Sequence, residues 1–202
     1  MYEWRRMSLQ EREETLKNRQ SRRRPWHSPP HRYLPGKRRY SVSAACYEHE
    51  PIIAYSAERL DQFTHELLQI MERESVQIHA WCILPNHYHL MFMADDLKRV
   101  LSSLGRLHGR SSHAWNDEEN QRGRRVWCNY IDREMRSDRH FWATMNYVHN
   151  NPVQHGYVER WQDWPWSSAD RFLEQFGRER AKEIWTQYPI NEFDDLAPEF
   201  TL

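Results

Sequence analysis

The middle of the chain reads Leu84-Pro-Asn-His-Tyr-His-Leu-Met-Phe92. A Pro-Asn pair between two apolar runs is typical of a tight turn. We therefore predict one strand from about Val76 to Leu84 and a second from His87 to Met93, joined as a hairpin. This hairpin is the reference point for the elements on either side of it.

The second strand of the hairpin carries two histidines, His87 and His89, separated by one residue. Because residues i and i+2 of a strand project from the same face, both imidazoles are expected on one side of the sheet. Two adjacent imidazoles can supply two ligands to one divalent metal ion. A pair this short is more often just two partly exposed strand histidines, so a metal site requires a third ligand from elsewhere in the chain.

The patterns on both sides of the hairpin predict alternating strands and helices. Ahead of it, Tyr40–Tyr47 alternates like a half-buried strand, and a helix begins at Ser56 as its N-cap. After it come a helix over 97–115, a strand over Arg125–Ile131 and a helix from Ser137 to about Asn150. This order of elements predicts an α+β fold, a ferredoxin-like split-βαβ sandwich in which helices cover an antiparallel sheet.

The last of these helices carries a tyrosine away from its apolar stripe. Phe141 and Val148 lie on the stripe, whereas Tyr147 lies to one side of it, and Asn151 follows four residues later on that same side. The phenol can act as a nucleophile, and the amide oxygen can be a third metal ligand. Because Asn151 precedes Pro152, we expect it at a frayed helix end with a mobile side chain. The alternative is a boundary aromatic followed by a common helix stop.

Composition excludes several classes of protein. Hydrophobic residues make up 39% of the 202 residues and the mean hydropathy is -1.02, with no apolar run long enough to span a bilayer. The N-terminus has no apolar signal region. The three cysteines, Cys46, Cys82 and Cys128, are scattered, which argues against a disulfide framework or a zinc-thiolate site. We therefore expect a cytoplasmic protein with no membrane partner, able to reach DNA or RNA.

The charge is uneven although it sums to zero. Residues 1–40 hold twelve Lys or Arg against four Glu, a net charge of +8, so the rest of the chain carries −8. We divide the chain into a basic, Pro-rich arm (1–39), a main domain (40–176) and a C-terminal tail (177–202). The arm is either a polyanion-binding segment or a solvated terminus, and its composition favours neither.

Taken together, four motifs resemble those of a known family. The sequence resembles the single-tyrosine HUH transposases, and most closely the REP-associated tyrosine transposases of bacteria. Order and spacing match from about Tyr40 to Phe172. The matching motifs are Leu84-Pro-Asn-His-Tyr-His89, Arg125-Val-Trp127, Tyr147-Val-His-Asn-Asn-Pro-Val-Gln-His-Gly156 and Asp163-Trp-Pro-Trp-Ser-Ser168.

The resemblance implies a role for each matching residue. His87 and His89 correspond to the metal-binding histidines of the HUH motif, Tyr147 to the catalytic tyrosine, and Asn151 to the polar residue that completes the metal site. The fold implied is the ferredoxin-like HUH fold. The implied cofactor is Mg²⁺ or Mn²⁺, and imidazole ligands suit Mn²⁺ better.

The resemblance also implies a reaction and a partner. The reaction is cleavage and rejoining of single-stranded, hairpin-bearing repeat DNA through a 5′-phosphotyrosine, by a cytoplasmic, nucleoid-associated monomer or homodimer. We expect basic residues beside the site to hold phosphates. We expect Trp127 either to stack on an extruded base or to be a buried strand tryptophan. The candidate DNA-binding residues are Arg38, Arg39, Arg106, Arg110, Arg122, Arg124, Arg125 and Trp127.

Two other functions fit parts of the sequence. One is a non-catalytic, domesticated DNA-hairpin-binding protein, against which the intact set His87, His89, Tyr147 and Asn151 argues. The other is a metal-dependent phosphoesterase that uses water as the nucleophile. The latter predicts product release without a covalent protein–DNA adduct, so a denaturing gel separates the two chemistries.

Overall fold

Strand β3 (His87–Ala94) lies inside the sheet, and it pairs with one strand on each side. β2 (Gln77–Ile83) pairs antiparallel with it across the Pro-Asn turn. β1 (Arg38–Ala45) pairs antiparallel along its other edge, and β4 (Ile131–Glu134) pairs antiparallel with β1. The order across the sheet is β2-β3-β1-β4. The hairpin predicted from the Pro-Asn turn is therefore confirmed.

The structure is a computed structural model that describes residues 36–190 together with Ser8, Gln10 and Glu14. Most of the basic arm (1–39) and the end of the chain after Ile190 lie outside the described residues. Within the described part no helix is long and apolar enough to cross a membrane. The helices are α1 (Ala57–Arg73), α2 (Leu97–Glu118), α3 (Asp138–Gln154), α4 (Ala169–Phe176) and α5 (Arg178–Gln187).

The helices cover both faces of the sheet. On one face Leu90 of β3 belongs to a core that includes Leu67 of α1 and Leu104 of α2. On the other face Met91 belongs to a second core with Met145 of α3. Neighbouring residues of β3 thus point to opposite cores, and each fully buried apolar side chain contributes about 1.5–3 kcal/mol. The α+β class and the antiparallel sheet under helices are confirmed.

The helices begin where the sequence gives them a capping residue. Ser56 accepts a hydrogen bond from the Arg59 backbone N–H at 3.2 Å, and it precedes α1 as expected. Asp96 caps α2 in the same way, and Ser137 caps α3 through the His140 N–H. Each cap satisfies one of the backbone N–H groups that a helix start leaves without a partner.

The strand expected over Arg125–Ile131 is wrong in position. Before Ile131 only Trp127 in that run forms a bridge, with Cys46, whereas β4 covers Ile131–Glu134. The short strand β4 is polar and lies at the edge of the sheet, where its side chains are only partly buried. An edge strand with this composition lacks the apolar alternation that identifies a strand in sequence.

The helix expected to stop before Pro152 instead continues to Gln154. Proline this late in a helix removes one backbone N–H, and the His155 N–H still donates to the Asn151 carbonyl at 3.0 Å. Both Asn151 and Pro152 are buried, so packing holds the last turn in place. Asn151 is therefore neither frayed nor mobile, contrary to our expectation.

The expected domain limits also differ from the structure at both ends. β1 begins at Arg38, so Arg38 and Arg39 are strand residues rather than part of the arm. The segment 177–202 contains α5, whose Ala181 and Ile184 are buried in the second core. Residues through Gln187 thus pack as part of the main unit, and they do not form a separate tail.

A buried histidine in the first core predicts acid sensitivity. His108 stacks on Trp127, with ring centroids 4.2 Å apart, and its Nε2 lies 3.0 Å from the Tyr88 hydroxyl. Burial lowers the pKa of His108 to about 4. In the unfolded chain His108 takes up a proton near pH 6.5. The contribution of neutral His108 to the free energy of unfolding is therefore complete above pH 6.5, and it falls as the pH drops toward 4.

We expect His108→Gln to reduce the slope of the unfolding free energy against pH by up to about 1.4 kcal/mol per pH unit, which corresponds to one proton. Urea unfolding between pH 7 and 4.5 measures it, with His65→Gln on the exposed face of α1 as the control. Parallel pH profiles for the wild type and His108→Gln would contradict the assignment.

Candidate active site

The two histidines of β3 share one face of the sheet, as their spacing predicts. His87 and His89 lie on the same side of β3 as Met91, facing α3, and their ring centroids are 5.0 Å apart. Both are buried, with 8% and 5% of their surface exposed.

Each histidine is held through its Nδ1 atom. His87 Nδ1 lies 2.6 Å from Asn86 Oδ1 in the turn, and His89 Nδ1 lies 2.8 Å from Ser43 Oγ of β1. Ser43 is the residue directly opposite His89 in the β1–β3 register. These contacts fix both rings and favour Nε2 as the ligand nitrogen.

Helix α3 brings the tyrosine and the asparagine to the histidines. Asn151 Oδ1 lies 3.0 Å from His87 Nε2, and the Tyr147 ring centroid is 5.2 Å from that of His89. Tyr147 and Asn151 are four residues apart, so they lie one above the other on one face of the helix. The structure therefore brings together all four residues that the sequence singled out.

Buried polar contacts hold α3 in this position. Asn146 donates through Nδ2 to the Tyr188 carbonyl at 2.7 Å, which ties α3 to the end of α5. His149 is fully buried, and its Nε2 lies 2.8 Å from Ser168 Oγ. Ser168 in turn hydrogen bonds to the backbone of Trp81 in β2. Thus α3 is bonded both to the residue after α5 and, through Ser168, to β2.

Burial keeps both candidate ligands neutral. Burial, together with the neighbouring imidazoles, lowers the pKa of His89 to about 3 and that of His87 well below its ordinary value. Neutral imidazole is the form that binds a metal ion, because the ligand nitrogen then carries a lone pair.

The residues present fit a divalent ion. A neutral imidazole donates a hydrogen bond from one nitrogen only, and in His87 that nitrogen is Nδ1, which donates to Asn86. Nε2 of His87 is therefore an acceptor, and it faces a second acceptor, the Asn151 oxygen. Two acceptors 3.0 Å apart have the spacing of adjacent ligands around an octahedral ion with bonds of about 2.1 Å. The buried Asn151 Nδ2 has no hydrogen-bond partner among the described residues. In the described part of the chain no group of three or more His, Cys, Asp or Glu side chains could hold a metal, and the Asn151 amide oxygen stays the predicted third ligand.

Two further histidines, which the sequence analysis missed, flank His87. The ring centroid of His155 is 4.9 Å away and that of His49 is 6.3 Å away. His155 follows Asn151 by four residues, so the helical spacing of Tyr147 and Asn151 extends to it and could have identified it. His49 lies in a short 3₁₀ turn after β1, and no sequence pattern connects it with the site.

The structure does not place all the candidate arginines beside the site. Arg106 and Arg110 lie on α2, which packs on the opposite face of the sheet. Arg38 and Arg39 lie at the end of β1 away from His87, where they pair with Glu134 and Asp138. The expectation that Arg106 and Arg110 flank the site is wrong, and DNA contacts by all four stay predictions.

The remaining arginines lie in the loop after α2, near the turn that carries His49. Arg122 pairs with Asp117, and Arg124 pairs with Glu119. The Arg125 guanidinium lies 4.9 Å from the centre of the Tyr47 ring, and Tyr47 belongs to the same 3₁₀ turn as His49. Arg125 is therefore the candidate closest to the site through this chain of contacts, and its role in DNA binding stays a prediction.

Trp127 belongs to the first core. Only 8% of its surface is exposed, one face stacks on His108, and its Nε1 donates to Ser111 Oγ at 3.0 Å. The ring also packs against Phe63 at a centroid distance of 5.4 Å. Because both faces are occupied, Trp127 has no surface to offer a base, and the buried alternative is the correct one.

Comparison with known proteins supplies the family. The family model described as "Transposase IS200 like" matches residues 40–160, which include the site and all four strands except the first two residues of β1. The chain belongs to the IS200-like transposase family. The expectation of a transposase is thereby confirmed at the level of the family.

Relatives and a solved structure agree with this assignment. A REP-associated tyrosine transposase of Escherichia coli is 27% identical to this transposase over 134 residues, 65% of this chain and 72% of the relative. A Haemophilus influenzae protein assigned to the same group is 28% identical over 133 residues, 58% of this chain and 73% of the relative. The structure of a REP-associated tyrosine transposase bound to a REP hairpin matches with a TM-score of 0.59 at 17% identity, covering 74% of this chain and 86% of that one. At that identity the match shows a shared fold.

The geometry predicts how metal affinity depends on three side chains. We expect His87→Ala and His89→Ala each to weaken Mn²⁺ binding at least about tenfold, since each removes a ligand nitrogen. Asn151→Ala should weaken it as well, whereas Asn151→Asp should not, because an oxygen ligand is kept. Isothermal titration calorimetry measures these affinities, with His65→Ala as the control. Unchanged Mn²⁺ affinity in both histidine variants would remove the metal site.

Proposed function

We propose that this IS200-like transposase cleaves and rejoins single-stranded, hairpin-bearing DNA through a covalent bond between Tyr147 and a 5′ phosphate. The observation that carries the proposal is the meeting of two distant segments. His87 and His89 from the hairpin converge with Tyr147 and Asn151 from α3 at one place between the sheet and the helix, where Tyr147 is partly exposed and the other three are buried. Packing alone does not require two histidines, an amide and a phenol at one place.

Tyr147 is the nucleophile in this proposal. Its phenol oxygen attacks the phosphorus of the scissile phosphodiester, forms a new P–O bond, and loses its proton. The bond from phosphorus to the 3′ oxygen breaks, and that oxygen leaves as a 3′-hydroxyl. The strand is left with a 5′-phosphotyrosine, and because this link is still a phosphodiester, another 3′-hydroxyl can displace Tyr147 and rejoin a strand.

His87, His89 and Asn151 hold the cofactor, Mg²⁺ or Mn²⁺. When bound, the ion would polarise the scissile phosphate and offset the negative charge that develops on its oxygens. The protein contributes rigid ligands, since Asn86 and Ser43 fix the two imidazole rings. Asn151 is fully buried, and it lies on α3 together with Tyr147. The same helix therefore orients the third ligand and the nucleophile.

The proposed substrate rests on the family and on charge. The relatives are named as REP-associated tyrosine transposases, and the solved structure that matches the fold is of a protein bound to a REP hairpin. The first forty residues of this chain carry a net charge of +8, which suits a polyanion. A hairpin with a single-stranded flank is therefore the substrate to use in a test.

We expect Tyr147→Phe to lower cleavage more than about 100-fold while leaving hairpin binding unchanged, since only the nucleophilic oxygen is lost. The test uses labelled hairpin DNA with single-stranded flanks and Mn²⁺, followed by a denaturing gel. The wild type should give a heat-stable, protease-sensitive adduct. Tyr55→Phe, which changes an exposed tyrosine outside the site, is the control and should behave as the wild type.

Two results would contradict the proposal. Cleavage near the wild-type rate in Tyr147→Phe would show that another group attacks the phosphate. Cleavage by the wild type without any covalent adduct would favour water as the nucleophile, and the protein would then be a metal-dependent phosphoesterase.

A further inference from the structure

A second cleft lies beyond the segment that the family model matches. It has a volume of about 350 Å³ and is lined by side chains of α4, α5 and the short turn Trp161–Asp163. Its lining begins at Trp161 and ends at Thr186, whereas the family match ends at residue 160. The residues that line the cleft therefore lie outside the segment that the family model matches.

Two tryptophans form the aromatic wall of the cleft. The rings of Trp161 and Trp185 are 5.8 Å apart and nearly perpendicular, and both are only partly buried. Trp185 is held flat against Phe172, with ring centroids 4.7 Å apart and planes 7° apart. Partly exposed, rigid indoles are the surfaces on which proteins stack unpaired bases, whatever their sequence.

Two positive charges lie beside the tryptophans. Arg178 and Lys182 both line the cleft, four residues apart on one side of α5, and no acidic side chain lines it with them. Neither cation forms an ion pair with another residue in the part of the chain that the structure describes. On the same helix Arg180 is paired with Glu183, so it is the natural comparison. Unpaired cations beside exposed aromatic rings are suited to a phosphate attached to a base.

The cleft is joined to the helix that carries Tyr147. The His149 ring stacks on Trp161 at 5.7 Å and lies 5.8 Å from Trp185, and His149 follows Tyr147 by two residues on α3. Asn146 of the same helix bonds to the carbonyl of Tyr188 just after α5. The tryptophans that form the wall of the cleft are thus packed against the same helix as the nucleophile.

We propose that this cleft binds one nucleotide of the single strand that flanks the hairpin, with its base against Trp161 and Trp185 and its phosphate near Arg178 and Lys182. The volume lies within the range of small-molecule sites, about 300–1,000 Å³, which accommodates a nucleotide. The proposal rests on the proposed function for the identity of the strand as DNA. It adds a second point of contact outside the Tyr147 site, and that contact selects substrates with an unpaired flank.

The test compares two DNA ligands in fluorescence anisotropy, with EDTA present so that cleavage does not interfere. One is a blunt hairpin and the other is the same hairpin with a single-stranded flank. In the wild type the flank should increase affinity about tenfold or more, since stacking one base contributes about 1–3 kcal/mol. The double variant Arg178→Ala/Lys182→Ala should lose most of this gain and keep its affinity for the blunt hairpin. Both positions are exposed, so the variant should fold, and Arg180→Ala is the matched control on the same helix.

The outcomes separate the cleft from the Tyr147 chemistry. The proposed role of the cleft would be overturned if the flank increased the DNA affinity equally in the wild type and the double variant, even if the wild type forms its tyrosine adduct normally. A loss of the gain in the double variant would support the cleft even if no adduct forms with Mn²⁺, in which case the proposed reaction alone fails. Binding of free deoxynucleoside monophosphate at the cleft without any gain from the flank would also overturn it, because the ligand would then be a free nucleotide.

Discussion

The packing of α3 against the histidine-bearing face of the sheet is the contact on which the site depends. Met145 of α3 and Met91 of β3 share one core, and Asn146 and His149 bond α3 to Tyr188 and Ser168. If α3 moved by one turn, about 5.4 Å, Asn151 would leave His87 and the predicted third ligand would be lost. The same packing makes the last turn of α3 helical through Pro152, so the fold and the site are determined together.

This packing also encloses polar groups at an energetic cost. A buried donor or acceptor without a partner costs about 1–3 kcal/mol, and Asn151 Nδ2 is one such atom among the described residues. A sheet–helix interface made for stability alone would place apolar side chains here, as it does around Met91. The concentration of imidazoles and an amide at one buried point is therefore best explained by function.

Local periodicity was sufficient to predict the elements of the site. A spacing of two on a strand puts His87 and His89 on one face, and a spacing of four on a helix does the same for Tyr147 and Asn151. Both relations are geometric and hold in any packing of those elements. The hairpin followed from the turn chemistry for the same reason.

Features that depend on tertiary packing were not predictable in this way. The continuation of α3 past Pro152 depends on burial of its last turn, and the pairing of the polar strand β4 depends on the free edge of β1. The place of Trp127 in the core depends on α2 lying above it, where His108 and Ser111 contact the ring. His49 lies near the site only because β1 ends beside β3, and no local sequence pattern predicts this proximity.

The central claim is that the two halves of the site bind one ion between them. The most direct measurement is the anomalous difference density of crystals of the full chain soaked in Mn²⁺. We predict one strong peak bounded by the Nε2 atoms of His87 and His89 and the Oδ1 atom of Asn151, beside the Tyr147 ring. A strong peak elsewhere, with no density between β3 and α3, would contradict it.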